Sequence, residues 1–175
     1  MRHSRPTAPA DKAPPFVLRN YRPSDFKALW RLDQLCFTPE IAYTEYELQQ
    51  FIEYPGAFTL VAEEPITEDP AVAEDATCLI QGFILTHVHK KHGHIITIDV
   101  RQSQRRTGLG GQLLRASEER LRALKREAIV LEVAVDNLPA LKFYKRHGFT
   151  IVKTIPRYYS NGLDALEMAK SLSPA

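Results

Sequence analysis

From His94 to Ile155 the apolar residues switch between two periods, and that switching constrains the fold more than any other feature of this chain. Leu79–Val88 and His94–Val100 read as two long strands joined near Lys91-His92-Gly93. After Val100 the period becomes helical: Leu109, Leu113, Leu121 and Leu124 recur on one face, with Glu118, Glu119, Arg120 and Arg122 outside, in a helix expected over Gly108–Lys125. Ile129–Val135 is a nearly continuous apolar run, the pattern of a strand buried on both faces. Leu138–Arg146 is helical again, with Asn137 as N-cap and Gly148 as C-terminal punctuation. Phe149–Ile155 and Leu163–Ala169 are expected to be the last strands. Upstream, Phe16–Arg19 reads as a strand. Pro23 opens a helix carrying Phe26, Leu29, Trp30, Asp33 and Cys36 at helical spacing. Thr44-Glu45-Tyr46-Glu47 is a capping box for a second helix through Glu53, closed by Pro55-Gly56. Phe58–Ala62 is a strand, and the acidic stretch Glu63–Ala76 an exposed loop. Strands followed by strand–helix–strand–helix–strand predict one α/β domain whose mixed sheet carries helices on both faces.

A chain of 175 residues suits one domain, expected over residues 16–172, with residues 1–15 a flexible tail rich in Pro, Ala and Arg. The net charge of +2 gives no electrostatic footprint for nucleic acid. No run is apolar enough to cross a membrane, and the N-terminal stretch lacks the apolar core of a secretory signal, so no membrane association and a cytoplasmic location are expected. Cys36 and Cys78 lie far apart and match no metal or redox spacing; each is read as a buried small hydrophobe.

The loop from Val100 into the following helix carries Arg105, Arg106, Thr107, Gly108 and Gly110. A helix N-terminus has unpaired N–H groups and a partial positive charge, glycines let an anion approach the backbone, and two arginines add charge. That combination suits phosphate. A Walker A loop is excluded because no Gly-Lys-Ser/Thr follows, and a dinucleotide fingerprint fits poorly because Leu113 stands at its third glycine. A glycine-capped loop with surface arginines would carry the same residues.

The stretch from His94 to Phe149 resembles the GNAT superfamily of acetyltransferases. Its pattern Arg/Gln-x-x-Gly-x-Gly/Ala is matched by Arg105-Arg106-Thr107-Gly108-Leu109-Gly110, and its second signature by Asn137, Ala140, Phe143-Tyr144 and Gly148-Phe149. Gln102 departs from the pattern where many relatives carry Pro. Over residues 16–170 the chain looks most like the bacterial ribosomal-protein-alanine N-acetyltransferases and the related protein N-terminal acetyltransferases. Leu131-Glu132-Val133, Arg157-Tyr158-Tyr159, Asp164–Met168 and Cys36-Phe37 with its aromatic loop carry that likeness. The resemblance implies a mostly antiparallel GNAT sheet and acetyl-CoA as co-substrate. It implies cofactor contacts from Asp99, Val100, Arg105, Arg106, Thr107, Gly108, Leu109, Gly110, Gly111, Asn137, Ala140 and Tyr144, and an acceptor site lined by Phe37, Ile41, Tyr43, Tyr158 and Tyr159.

Acetyl transfer to an amine needs a neutral amine, donors for the oxyanion and an acid for the leaving thiolate. At pH 7, neutralising an α-amine costs about 1.4 kcal/mol and a lysine about 4.6 kcal/mol, so an α-amine asks less of its base. Glu132, the one charged residue in its apolar run, is the candidate base and His94 the second candidate. Tyr144 is the acid that the resemblance implies. The expected acceptor is a protein or peptide N-terminus. A small-molecule amine, or acyl-CoA binding without turnover, is the alternative; the sequence leaves the oligomeric state open. His87, His89, His92 and His94 cluster at a hairpin end expected to be exposed, without a familiar ligand spacing, so no metal is expected.

Overall fold

The computed structural model describes residues 16–64 and 80–173. Seven strands form one open sheet: β1 (Val17–Asn20), β2 (Ala57–Glu63), β3 (Ile80–Val88), β4 (His92–Val100), β5 (Ala128–Ala134), β6 (Thr150–Ile155) and β7 (Ala165–Ser171). Their spatial order is β1-β2-β3-β4-β5-β7-β6. Only β4 and β5 run parallel; every other neighbouring pair is antiparallel. The expected mixed, mostly antiparallel α/β sheet is therefore what forms.

Two cores sit on opposite faces. Helices α1 (Phe26–Cys36) and α2 (Glu45–Glu53) bury Leu29, Leu32 and Leu48 against Val61, Phe83 and Leu85. Helices α3 (Leu109–Ala123) and α4 (Leu138–Arg146) bury Leu109, Leu113, Leu121, Leu141 and Tyr144 against Ile84, Ile95, Leu131 and Met168. Gly93 is what lets α3 lie this close to β4, since a Cβ there would meet the Leu121 side chain at 2.3 Å. The Thr44–Glu47 capping box forms as expected, with Glu47 N–H donating to Thr44 Oγ1 at 3.2 Å.

Several boundaries and one burial pattern differ from the sequence reading. The Pro23 turn is a short 3-10 segment, Pro23–Asp25, before α1 begins. Helix α3 starts at Leu109, because Gly108 is its N-cap in the left-handed region at φ 95°, and ends at Ala123. Strand β4 starts at His92, inside the expected turn, and β7 runs Ala165–Ser171 rather than from Leu163. Strand β5 is not buried on both faces: Ile129, Leu131 and Val133 enter the core, while Val130 and Glu132 lie half-buried on the other face. The expected loop Glu63–Ala76 and Cys78 fall largely or wholly outside the described residues.

A register shift in β4 decides which of its side chains face α1. Leu85 pairs with Thr97 but Thr86 pairs with Ile95, so Ile96 is an extra residue in the strand. Ile95 packs into the α3 face and Ile96 into the α1 face, after which Ile98 and Val100 return to the α3 side. The bulge thereby turns the Thr97 and Asp99 side chains toward α1.

Candidate active site at a fork in the sheet

Strands β4 and β5 pair only through His92↔Ala128, Gly93↔Ile129 and His94↔Val130. Beyond that point β4 stays with β3 and β5 stays with β7, so the sheet opens into a fork. Its prongs are residues 95–100 and 131–134, whose backbone groups facing the gap have no partner strand there. The expected cofactor contacts Asp99 and Val100 are at the end of one prong.

At the base of the fork, His94 Nε2 lies 2.6 Å from Glu132 Oε2. The sequence names these two residues as alternative bases, and the fold joins them in one hydrogen-bonded pair. Their side chains are 25% and 15% exposed, enough to meet a substrate yet shielded from bulk water. Tyr158 and Tyr159 stand near Glu132 and contact each other edge to face, with ring centres 5.0 Å apart. Burial, aided by the Tyr158 hydroxyl and the negative charge of Glu132, pushes the Tyr159 hydroxyl up to about 12, and burial with the same charge raises Tyr158. Ser160 then donates to the Glu40 carbonyl at 3.0 Å, tying the β6–β7 connection to the loop between α1 and α2.

That α1–α2 loop carries Phe37, Ile41 and Tyr43, all half-buried. Tyr43 is held at both ends. Its N–H donates to Asp33 Oδ2 at 2.9 Å, its carbonyl accepts from Gln34 and Trp30, and its hydroxyl donates to the Ile96 carbonyl at 3.3 Å. The loop is thus anchored to the bulge in β4. Asp33 is a polar residue in an apolar helical period, and its sequence position alone suggests no role. Burial pushes its carboxyl up to about 6. Asp99 is likewise buried and held well above the usual carboxylate range, first by desolvation and then by Asp33, while Thr97 donates to its Oδ1 at 2.5 Å. Cys36 is half-buried, and its thiol donates to the Val100 carbonyl.

Tyr144 is 6% exposed and meets Phe143 and Phe149 edge to face. Burial, with Asp99 and Tyr159 adding, holds its hydroxyl above the ordinary tyrosine range, so it stays protonated at neutral pH and is able to act as a donor. At the start of α3 no side chain caps Gly108, and no acidic residue stands in the first turn. The N–H groups of Leu109, Gly110 and Gly111 belong to that opening turn. Arg105, Arg106 and Thr107 are exposed beside it, and Arg106 itself has φ 66°. Gly110 packs near Phe143, and a Cβ on Gly111 would meet His147 Nε2 at 2.9 Å. Asn137 caps α4 by accepting from the Ala140 N–H at 3.1 Å.

A fork whose prongs have no strand between them, a basic helix start without a side-chain cap, a proton acceptor pair and a buried hydroxyl donor can together bind an acyl donor that bears phosphates and deprotonate an amine. Residues 26–149 match the model of the acetyltransferase (GNAT) family. The chain belongs to that family. As a GNAT protein it is an acetyl-transferring enzyme. It is 33% identical over 170 residues to a protein named N-alpha-acetyltransferase from Sulfurisphaera tokodaii, with 94% of this chain and 98% of that one covered. Among solved structures, Ard1 from Thermoplasma volcanium aligns with a TM-score of 0.77 at 26% identity, covering 91% of this chain and 99% of that one. The ribosomal-protein-S18-alanine N-acetyltransferase from Escherichia coli shares the fold, with a TM-score of 0.75 at 21% identity over 91% of this chain and 96% of that one.

The histidines differ most from expectation. His87 is 6% exposed rather than part of an exposed hairpin end; its ring stacks on Tyr54 at 4.4 Å and its Nε2 bonds the Phe51 carbonyl at 2.8 Å. Among the described residues, no three His, Cys, Asp or Glu side chains are disposed to hold a metal ion. Nothing local in the sequence signals the Ser160–Glu40 tie, which joins residues 120 positions apart.

Proposed function

We propose that this enzyme moves the acetyl group of acetyl-CoA directly onto the N-terminal α-amine of a protein or peptide. The observation that carries this reading is the tie between Ser160 and Glu40, which joins the two loops flanking the His94–Glu132 pair. A cleft bridged in this way favours a chain end entering along its length over the side of a folded surface. The relatives named for N-alpha and ribosomal-protein-alanine acetylation support the same choice.

In this reading the CoA pyrophosphate lies on the backbone of Arg106, Thr107, Gly108, Leu109 and Gly110, with Arg105 on one side and Gly111 on the other. The pantetheine arm enters the fork beside Asp99 and Val100 and passes Asn137 and Ala140. Glu132, with His94, takes the proton of the incoming ammonium, and Tyr144 protonates the departing thiolate. Phe37, Ile41 and Tyr43 form one wall of the acceptor cleft, Tyr158 and Tyr159 the other. An α-amine needs only about 1.4 kcal/mol to be neutralised at pH 7, within reach of a single carboxylate–imidazole pair.

The test offers three acceptors with acetyl-CoA: a peptide with a free N-terminus, the same peptide with that terminus blocked and internal lysines free, and a polyamine. Turnover of the first alone is expected. Faster turnover of either other acceptor overturns the N-terminal reading. Glu132→Gln is expected to keep CoA affinity and lose activity, with the loss shrinking at high pH, where the amine is already neutral.

A further inference from the structure

The hairpin joining β3 and β4 carries four histidines, of which the proposed transfer step uses only His94. Strand pairing puts His87 opposite His94, and His89 lies opposite His92, with the His89 N–H donating to the His92 carbonyl at 2.9 Å. Alternation along β3 and β4 sends the His87, His92 and His94 side chains to one face, the face of Glu132, and ring contacts with His92 and His94 put His89 there too. The ring centre of His89 is 6.2 Å from that of His94 and 4.9 Å from that of His92. His89 and His92 are half-exposed, and Lys90 and Lys91 at the tip are exposed. His94 in turn holds Glu132 at 2.6 Å. A line of imidazoles thus runs from the base of the fork to solvent, away from the cleft.

The stoichiometry supplies a reason for such a line. An ammonium and a thioester become an amide, a thiol and one proton: the N–C bond forms, the C–S bond breaks, the sulfur keeps one proton and the other must leave. With CoA in the fork and an acceptor in front of it, the cleft side of Glu132 is covered.

We propose that His89 and His92 are positioning residues that carry this proton from the His94–Glu132 pair to solvent, so that Glu132 is restored as a base in each turnover. The proposal rests on the reading of Glu132 and His94 as the base pair. Histidines are the side chains suited to relay at neutral pH, provided they stay mostly neutral. Burial and the neighbouring imidazoles lower His92, and burial lowers His87, so both favour the proton-accepting form, with Glu167 of β7 pulling His92 back. His87 is locked by Phe51 and Tyr54 of the α2 side and leads nowhere, which leaves His89 as the exit.

The experiment measures kcat and both KM values for wild type, His89→Gln and His92→Gln at low buffer concentration, then with added imidazole. For His89→Gln, kcat is expected to fall about tenfold, modest for an acid–base role, with both KM values unchanged. Imidazole at tens of millimolar is expected to restore most of the loss and to leave wild type unaffected. His92→Gln is expected to show the same pattern more weakly. An unchanged kcat for His89→Gln at low buffer, or a fall that imidazole does not relieve, overturns the relay. Full activity of Glu132→Gln would instead remove the base assignment on which the relay rests.

Discussion

At the scale of single residues, Tyr144 separates chemistry from binding most cleanly. Its ring packs against Phe143 and Phe149, and phenylalanine would keep those contacts. Only the hydroxyl group, with its proton, is lost on Tyr144→Phe. If that proton goes to the departing thiolate, kcat falls about a hundredfold, the lower end of general-acid contributions, while CoA affinity measured by calorimetry stays within a factor of two. A kcat within twofold of wild type removes Tyr144 from the role. The direction of its ionisation adds a second check. Because burial holds the hydroxyl above the ordinary range, it remains a donor as pH rises, and wild-type kcat should show no loss from this group below pH ~10.

At the scale of elements, the start of α3 is the part of the site that the sequence states most openly. Glycine is needed at position 108 because the backbone there has φ 95°, and no atom outside its neighbours lies within 4 Å of where a Cβ would stand. Gly108→Ala therefore meets no packing clash, but it strains the cap by roughly 1 kcal/mol and puts a methyl in front of the proposed phosphate position. We expect CoA affinity to fall at least tenfold in a variant whose circular dichroism matches wild type, and unchanged affinity would place the pyrophosphate elsewhere. This motif was legible because its requirements are local: a left-handed cap, an anion-ready turn and flanking charge within six residues. The helices were legible for the same reason, through apolar period and capping residues. What was not legible depends on pairing across the chain. The insertion of β7 between β5 and β6, the three-pair length of the β4–β5 ladder and the joining of His94 to Glu132 are set by register. The half-exposed side of β5 was misread because apolar Val130 faces the site rather than a second core. His87 was misread because its cover comes from α2, at Phe51 and Tyr54.

At the scale of the whole molecule, the sheet consists of two antiparallel halves, β1-β2-β3-β4 and β5-β7-β6, whose ladders meet at three residue pairs. The proposed donor would lie between the prongs of that join, bonding backbone groups that no strand satisfies. Binding should then act on the molecule as a missing strand does, coupling the halves. By mass action a ligand at a hundred times its Kd adds about 2.7 kcal/mol to stability, and for a chain of this size each kcal/mol raises Tm by about 2–4 °C. Any ligand that binds the folded state gives such a rise, so Tm alone does not test the geometry. Hydrogen exchange does. With saturating CoA, the amides of residues 95–100 and 131–134 that point into the fork should slow more than those of β1 and β2, which share the global stabilisation but touch no ligand. The hairpin amides at residues 89–92 should slow no more than β1 and β2. Uniform slowing across all strands would mean that CoA stabilises the fold from outside the fork, and the donor path through Asp99 and Val100 would have to be abandoned.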